Sequence, residues 1–378
     1  MKFIRKLIFR LILLLAVVFA VGYFAFDFDH NDWYTLYTGE PVKTENEIEL
    51  ENDEVFQQIM AIENVFAEID DYARDCPESA KSSFSELADY LEAGAEGDKE
   101  KARAIYVWLT DNISYNDTGY NSGDYGDVSA EGVLKSGLAV CSGFGNLYTA
   151  LGKEMDLEII DVSGFAKGYS FSKGIIETES NHAWNMIKID GEWRVYDATW
   201  GRGHSSTVDG KMVSKNEFTE KWFDVDPYAA IFTHYPENSK DSKIPNVFSL
   251  KDYYNIKFDG MAIFELGFDP KEMYDICVKN NNHDAPTCWV QDYYIDIRKA
   301  PNQLVLKKGE DYDFVFYIPE IEELAFSVGS EWDKVKSNNG IFKHTYSPEN
   351  KGELLIHYTS PVKGDKDKQD VFMKYEVK

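Results

Sequence analysis

Hydrophobic and polar positions along this chain fall into three regimes. The first is an apolar run. Lys2, Arg5, Lys6 and Arg10 precede an uncharged stretch from Leu11 to Phe26, and Asp27, Asp29 and Asp32 follow at once. Basic residues before such a run and acidic residues after it mark a targeting segment, either a cleaved signal peptide or an uncleaved single-pass anchor, with the rest of the chain outside the cytoplasm. The run is short for a membrane span, but Leu7 to Phe9 lengthen it if Arg10 snorkels. Residues 27–52 are acidic and aperiodic and read as a linker.

The second regime has helical spacing. Val55, Ile59, Ile62, Val65, Phe66, Ile69 and Tyr72 recur at three and four, which predicts a helix over 53–74. Further helices are predicted over 79–91, over 98–112 with Ala102, Ile105, Tyr106 and Leu109 inward, and from Cys141 with Phe144, Leu147, Tyr148, Leu151 and Met155 as the buried stripe. Residues 114–127, rich in Asn, Asp, Gly and Tyr, read as a loop. Strand-like stretches follow at 157–162, 183–189 and 193–199, and 202–225 reads as a surface excursion. The third regime begins near 245. Short alternating segments at 256–267, 289–298, 303–307, 312–318, 323–328, 353–358 and 371–377 predict an all-β sandwich, immunoglobulin-like folds included. The fold class expected is α+β, with a targeting segment over 1–26, a linker over 27–52, a mixed domain over 53–244 and a β-sandwich over 245–378.

Charge narrows the partners. Of the 378 residues 66 are acidic and 39 basic, and the net charge is −27. No basic patch lies beyond the first ten residues, which argues against nucleic acid. The four cysteines, Cys76, Cys141, Cys277 and Cys288, show no zinc-type spacing. Cys277 and Cys288 are close enough to close a hairpin-sized loop if the compartment is oxidising.

Three residues carry candidate chemistry. Cys141 opens an amphipathic helix, where the positive end of the helix dipole favours a thiolate. Its neighbours Ser142, Gly143 and Gly145 are small. Asp190-Gly191, flanked by alternating residues, predicts a hairpin with a two-residue turn. Paired positions then sum to 381, so His182 and Asp197 become diagonal neighbours on one face. A one-residue bulge would put them on opposite faces. A carboxylate on one imidazole nitrogen fixes the tautomer and leaves the other for a thiol. Cys141, His182 and Asp197 thus compose a candidate catalytic triad.

The motifs Val140-Cys141-Ser142-Gly143-Phe144, Asn181-His182-Ala183-Trp184-Asn185 and Trp193 to Trp200 with Asp197-Ala198-Thr199-Trp200 resemble the transglutaminase-like superfamily, and within it the branch that contains kyphoscoliosis peptidase and related cytokinesis and bacterial proteins. Ala104 to Trp108, Asn112 to Tyr115, Trp222-Phe223, Asp226-Pro227 and His234-Tyr235-Pro236 resemble flanking motifs of that branch. The resemblance covers roughly residues 55–240. It implies a papain-like α+β core and acyl transfer at a cysteine, with Cys141 as nucleophile, His182 as general base and acid, and Asp197 as the orienting group. The Cys141 backbone N–H is one expected oxyanion donor, and Tyr115, Tyr120 and Tyr125 are side-chain candidates.

Trp184, Trp200 and Tyr125 are the substrate-contact candidates, although such aromatics more often pack cores and rims. Asp117, Asp124 and Asp127 do not have EF-hand spacing. His204 and His234 read as non-ligands, with His234 packing structurally. The expected chemistry calls for neither metal nor cofactor. The expected partner is a protein or peptide substrate, cell-wall peptide included, with the membrane met through the N-terminal segment. A catalytically silent surface scaffold of the same fold is the competing reading.

Overall fold

The computed structural model describes residues 65–378 apart from 173, 257–260, 281–283, 290–292 and 360–368. The targeting segment and the linker lie outside the described residues, as does most of the helix expected over 53–74. Residues 68–378 form one compact unit. Among the described residues no helix is long and apolar enough to cross a membrane.

The first helices are α1 (Ala67–Arg74), α2 (Phe84–Ala93) and α3 (Asp98–Asn112). The helix expected over 79–91 is divided. A 3-10 turn covers Glu78–Ser82, and the Ser83 side chain then caps a new start by accepting from the Glu86 N–H. Ala102 to Thr110 of α3 are all buried, so this helix is central and has no solvent face in that stretch. Arg103 belongs to this buried stretch and its charge is matched. Its Nε and Nη2 donate to the two Asp70 oxygens at 2.6 and 2.7 Å, and Nη2 reaches Glu220 at 2.9 Å.

The expected loop over 114–127 contains structure: β1 (Ser114–Tyr115), then α4 (Asp117–Ser122), capped by Asn116. Next come α5 (Ala130–Ser136), β2 (Leu138–Ala139) and α6 (Cys141–Glu154). Then β3 (Ile159–Ala166), β4 (His182–Ile189) and β5 (Glu192–Tyr196) lead to α7 (Ala198–Gly201), the hairpin β6 (Gly203–Val208) and β7 (Lys211–Asn216), α8 (Pro227–Ala230) and β8 (His234–Pro236). β3, β4, β5 and β8 form one antiparallel sheet in the order β5-β4-β3-β8.

The hairpin has the expected register. Ile189 pairs with Glu192 and Asn185 with Tyr196. Asp190 and Gly191 both have positive φ, 51° and 89°, as a type I′ turn demands.

Beyond residue 245 the expectation of strands alone is wrong at first. Helices α9 (Leu250–Asn255), α10 (Ala262–Glu265) and α11 (Pro270–Asn280) occur there, α10 falling within the strand expected at 256–267, whose residues 257–260 lie outside the described residues. A capping box explains α9: Ser249 accepts from the Asp252 N–H while Asp252 accepts from the Ser249 N–H.

The remaining chain, β9 (Thr287–Cys288), β10 (Asp296–Lys299), β11 (Val305–Leu306), β12 (Tyr312–Tyr317), β13 (Glu323–Val328), β14 (Glu331–Lys336), β15 (Ile341–Tyr346), β16 (Gly352–Thr359) and β17 (Gln369–Val377), makes two sheets. They run β10-β12-β15 and β11-β17-β16-β13-β14, with β9 on β17. Their inner rings meet: Phe314 lies 5.1 Å from Phe326, and Phe316 lies 5.4 Å from Phe372. One apolar core spans both sides of residue 245, from Phe165 and Tyr235 to Phe314 and Tyr375.

All four cysteines are free thiols, so Cys277 and Cys288 are not bridged. Burial raises both to about 12, which makes them inert at neutral pH.

Candidate active site

Two side-chain amides, Asn185 buried and Asn181 half-buried, hold the candidate groups in place. Asn185 on β4 donates to the Gly145 carbonyl at 3.1 Å and to Thr149 Oγ1 at 2.9 Å, which fastens α6 to the strand that begins with His182. Asn181 brackets Ala166, accepting from its N–H at 2.7 Å and donating to its carbonyl at 3.1 Å. The end of β3 and the start of β4 are thereby fixed. Cys141 is the first residue of α6, after Val140, which offers no side-chain cap. No capping oxygen competes there for the positive end of the helix.

His182 Nε2 and Asp197 Oδ2 lie 2.7 Å apart. The side chains are 8% and 1% exposed. The route to this contact differs from a continuing ladder. Strand β5 ends at Tyr196, and Asp197 becomes the N-cap of α7, its Oδ1 accepting from the Trp200 N–H at 3.0 Å. The carboxylate is thus pinned at both oxygens. Cys141 also acts to raise His182, and with Nε2 taken by Asp197 the ring nitrogen left to face a thiol is Nδ1.

A second histidine shares the carboxylate. His234 Nε2 lies 3.1 Å from the same Asp197 Oδ2, and Thr233 Oγ1 is 2.9 Å from its Nδ1. The sheet explains the convergence. His182 pairs with Gly164 and His234 with Ala166, so both imidazoles stand on one face of β3, over its two smallest residues. A Cβ at Gly164 would collide with the Tyr235 carbonyl and the Trp184 indole, so glycine there admits both β8 and that ring.

Sequence reasoning assigned His234 to packing and missed this bond. The β3–β8 pairing joins segments far apart in the chain. Two small residues at alternate positions of one strand were the available signal.

The two histidines are driven in opposite directions. Burial alone would lower His182, but the Asp197 charge and hydrogen bond outweigh it, with a further contribution from Cys141, and raise it from 6.5 to about 10. His234 is lowered because burial there exceeds the opposing pull of Asp197, and the nearby His182 charge acts in the same sense as burial. Burial opposes the Asp197 charge, yet His182 and then His234 hold that carboxyl below its usual range. The two rings are thus pushed apart, His182 towards its charged form and His234 towards its neutral form.

A cleft of about 320 Å³ opens beside this network. His182, Trp200, Trp222, Tyr115, Tyr120 and Arg202 are in its wall. Trp200 lies 5.1 Å from the His182 ring, so it meets the cleft as expected. The other two contact candidates do not. Trp184 is 3% exposed and packs in the core behind His182, against His234 at 5.0 Å. Tyr125 is 48% exposed and outside the cleft wall. Cys141 is partly exposed and is not itself part of the wall. Its charge nevertheless acts on Tyr115 and Tyr120, which are.

His182, Asp197 and His234 also bring three metal-ligand atoms within 4.8 Å of one another. A tetrahedral zinc ion would hold such atoms roughly 3.3 Å apart, given metal–ligand distances near 2 Å. Here both nitrogens converge on one oxygen at 2.7 and 3.1 Å, which are hydrogen-bond lengths. The donor set fits a proton network better than an ion cage.

The Transglutaminase-like superfamily model matches residues 85–198, a segment that includes Cys141, His182 and Asp197 and stops before His234. Curated relatives include human (Homo sapiens) kyphoscoliosis peptidase, 27% identical over 203 residues, or 53% of this chain and 30% of that protein. Lim and transglutaminase domain protein ltd-1 of Caenorhabditis elegans is 25% identical over 228 residues, 55% of this chain and 30% of that protein. Hillarin of Drosophila melanogaster is 23% identical over 214 residues, 53% of this chain and 26% of that protein. The chain spans about a third or less of the length of these relatives.

Among solved structures, a putative cysteine protease from Cytophaga hutchinsonii is 22% identical, covering 34% of this chain and 44% of its own, with a TM-score of 0.25. A TGase is 17% identical, covering 42% and 41%, with a TM-score of 0.24. Residues 85–198 of this chain are a domain of the transglutaminase-like superfamily.

Proposed function

We propose that this protein is a thiol-dependent acyl-transfer enzyme acting on amide bonds of protein or peptide substrates. The observation that carries the reading is the buried 2.7 Å contact between His182 and Asp197, on a ring whose pKa Cys141 also helps to raise. Cys141 is the nucleophile, His182 the proton carrier and Asp197 the group that orients and charges the imidazole.

The Cys141 thiolate attacks the amide carbonyl. As the C–N bond breaks, the His182 imidazolium gives its proton to the departing amine, leaving a thioester on Cys141. Water or a second amine then attacks the thioester. His182 takes the incoming proton, and the acid or new amide leaves as the C–S bond breaks and the Cys141 thiolate is restored beside the imidazolium. The Cys141 backbone N–H at the start of α6 supplies one donor to the oxyanion. Tyr115 is the side-chain donor. Burial and then the Cys141 charge raise it far above its ordinary range, so it keeps its proton.

The named activity of kyphoscoliosis peptidase supports hydrolysis of peptide bonds, and cell-wall peptides fall within the substrate class. The charge step over residues 2–32 supports placement of the domain outside the cytoplasm, held by the N-terminal segment.

An electrophilic thiol probe tests the reading. Labelling should centre on Cys141 and fall sharply in His182→Ala. Equal labelling of the two proteins would sink the claim that His182 activates the thiol. A labelled primary amine offered with a glutamine-bearing protein separates transfer, which incorporates the label, from hydrolysis, which does not.

A further inference from the structure

We propose that His234 is a positioning residue for the triad, a neutral donor that holds the Asp197 carboxylate in the orientation His182 needs. The inference rests on Cys141 being a thiol activated by His182. It adds a fourth residue, from a strand outside the 85–198 segment.

The geometry fixes what His234 can do. Asp197 is 1% exposed, and a buried carboxylate is tolerated only when its lone pairs are occupied. Three donors reach it: the Trp200 N–H on Oδ1, and His182 Nε2 and His234 Nε2 on Oδ2. With the Trp200 bond alone, the carboxylate could turn about its Cβ–Cγ bond and carry Oδ2 away from His182. His234 adds the constraint on the second oxygen.

Its own ring has little freedom. It sits 5.0 Å from Trp184, 4.5 Å from Trp200 and 4.8 Å from Trp222, with its side chain fully buried.

The Asp197 carboxylate, which only accepts, decides the tautomer. A neutral imidazole that donates from Nε2 must accept at Nδ1, and the Thr233 hydroxyl lies there at 2.9 Å. The same hydroxyl is also 3.1 Å from the Ala230 carbonyl. It has one proton, so donation to His234 comes at the expense of that backbone contact. The charged groups acting on His234 are Asp197 and His182, and those acting on His182 are Asp197 and Cys141. All belong to the same network, so a change at His234 must reach the thiol through Asp197.

A histidine that only filled space would be replaced well by a ring and poorly by an amide. A positioning donor predicts the reverse. The full chain is treated with iodoacetamide across pH 5–9, and the rate at Cys141 is followed by mass spectrometry beside thermal melts. In His234→Phe the rate at pH 6.5 should fall about tenfold, the scale of one hydrogen bond to a charged group. The rise of rate with pH should also move upward. His234→Gln, whose amide can donate from a similar place, should stay within about threefold of wild type.

His234→Phe with the wild-type rate and profile, or Gln behaving worse than Phe, overturns the proposal. Where the Phe variant does not fold, Thr233→Val reads the same chain of bonds. A smaller upward move supports the proposal and an unchanged profile overturns it. His182→Ala keeps the two claims separate. If it reacts like wild type, the activated-thiol reading fails. If it is slow while His234→Phe is normal, only the role of His234 fails.

Discussion

Asp197→Asn is the sharpest perturbation of the site, because asparagine keeps the shape and the helix cap while removing the charge. Asn is as good an N-cap as Asp, so the bond from the Trp200 N–H, now 3.0 Å long, should survive and α7 should form. What is lost is the partner of His182. Raising that ring from 6.5 to about 10 corresponds to about 5 kcal/mol between its protonated and neutral forms. Burial opposes the charge, and without Asp197 only Cys141 is left to counter it, so His182 should titrate well below its wild-type value. The imidazolium is then less populated and the thiol loses counter-charge. Iodoacetamide should therefore react with Cys141 about tenfold more slowly in the variant at pH 6.5, the scale of one interaction with a charged group. Histidine ring NMR on the same sample reads the His182 titration directly. Reaction at the wild-type rate at pH 6.5, with His182 still titrating near 10, would refute the reasoning.

Other perturbations address the frame and the pH dependence. Asp70→Asn removes the bidentate partner of buried Arg103 and should cost about 3–5 kcal/mol in urea unfolding, with Glu220 alone left on Nη2. Gly164→Ala drives a methyl into the Tyr235 carbonyl and the Trp184 ring, and should cost about 1–3 kcal/mol while slowing Cys141 alkylation, because β8 and His234 move with the strand. Asn185→Leu unfastens α6 from β4 and should cost about 1–3 kcal/mol, with alkylation slowed more than in a surface control of equal stability. The raised His182 stabilises the fold fully below about 6.5 and loses that contribution as pH rises through about 10. Stability should therefore fall between pH 7 and 10 more steeply in wild type than in His182→Phe, and parallel slopes would count against the charged ring.

The parts of this site that were legible in the sequence are those set by short-range rules. Asp190-Gly191 fixes the turn, and the turn fixes the register of Asn185–Ile189 against Glu192–Tyr196, which brings the strand ends that carry His182 and Asp197 together. The stripe after Cys141 fixes its helix and so its place at the helix start. Less legible was how Asp197 reaches its partner, because the end of β5 and the cap of α7 are decided by a carboxylate that serves both. Aromatic side chains misled in two ways. Ile263 and Phe264 suit the strand expected over 256–267, yet they lie in the helix Ala262–Glu265. Trp184 matched a substrate platform but is drawn inward by the room above Gly164. His234 required the long-range pairing of β8 with β3, which no local pattern announces.

That last pairing explains why two residues of the same type can have opposite charge states 5.6 Å apart. Both touch the same oxygen, so the carboxylate alone cannot separate them. What differs is the second nitrogen and the wall around it. His182 faces a thiol that can carry negative charge and borders the cleft. His234 faces a neutral hydroxyl among three indoles. A second buried proton would leave the network with an excess positive charge wherever the thiol is neutral, and low polarity makes that costly. The first proton therefore settles on His182, and its charge disfavours another on His234. Pairs of titratable groups forced apart in this way mark division of labour in proton chemistry. On that logic, Asp197→Asn should abolish the asymmetry itself, with both rings titrating low, whereas Cys141→Ser should preserve its sign and reduce its size. Ring NMR of the two variants distinguishes these outcomes, and a Cys141→Ser protein in which His234 rather than His182 takes the first proton would overturn the assignment.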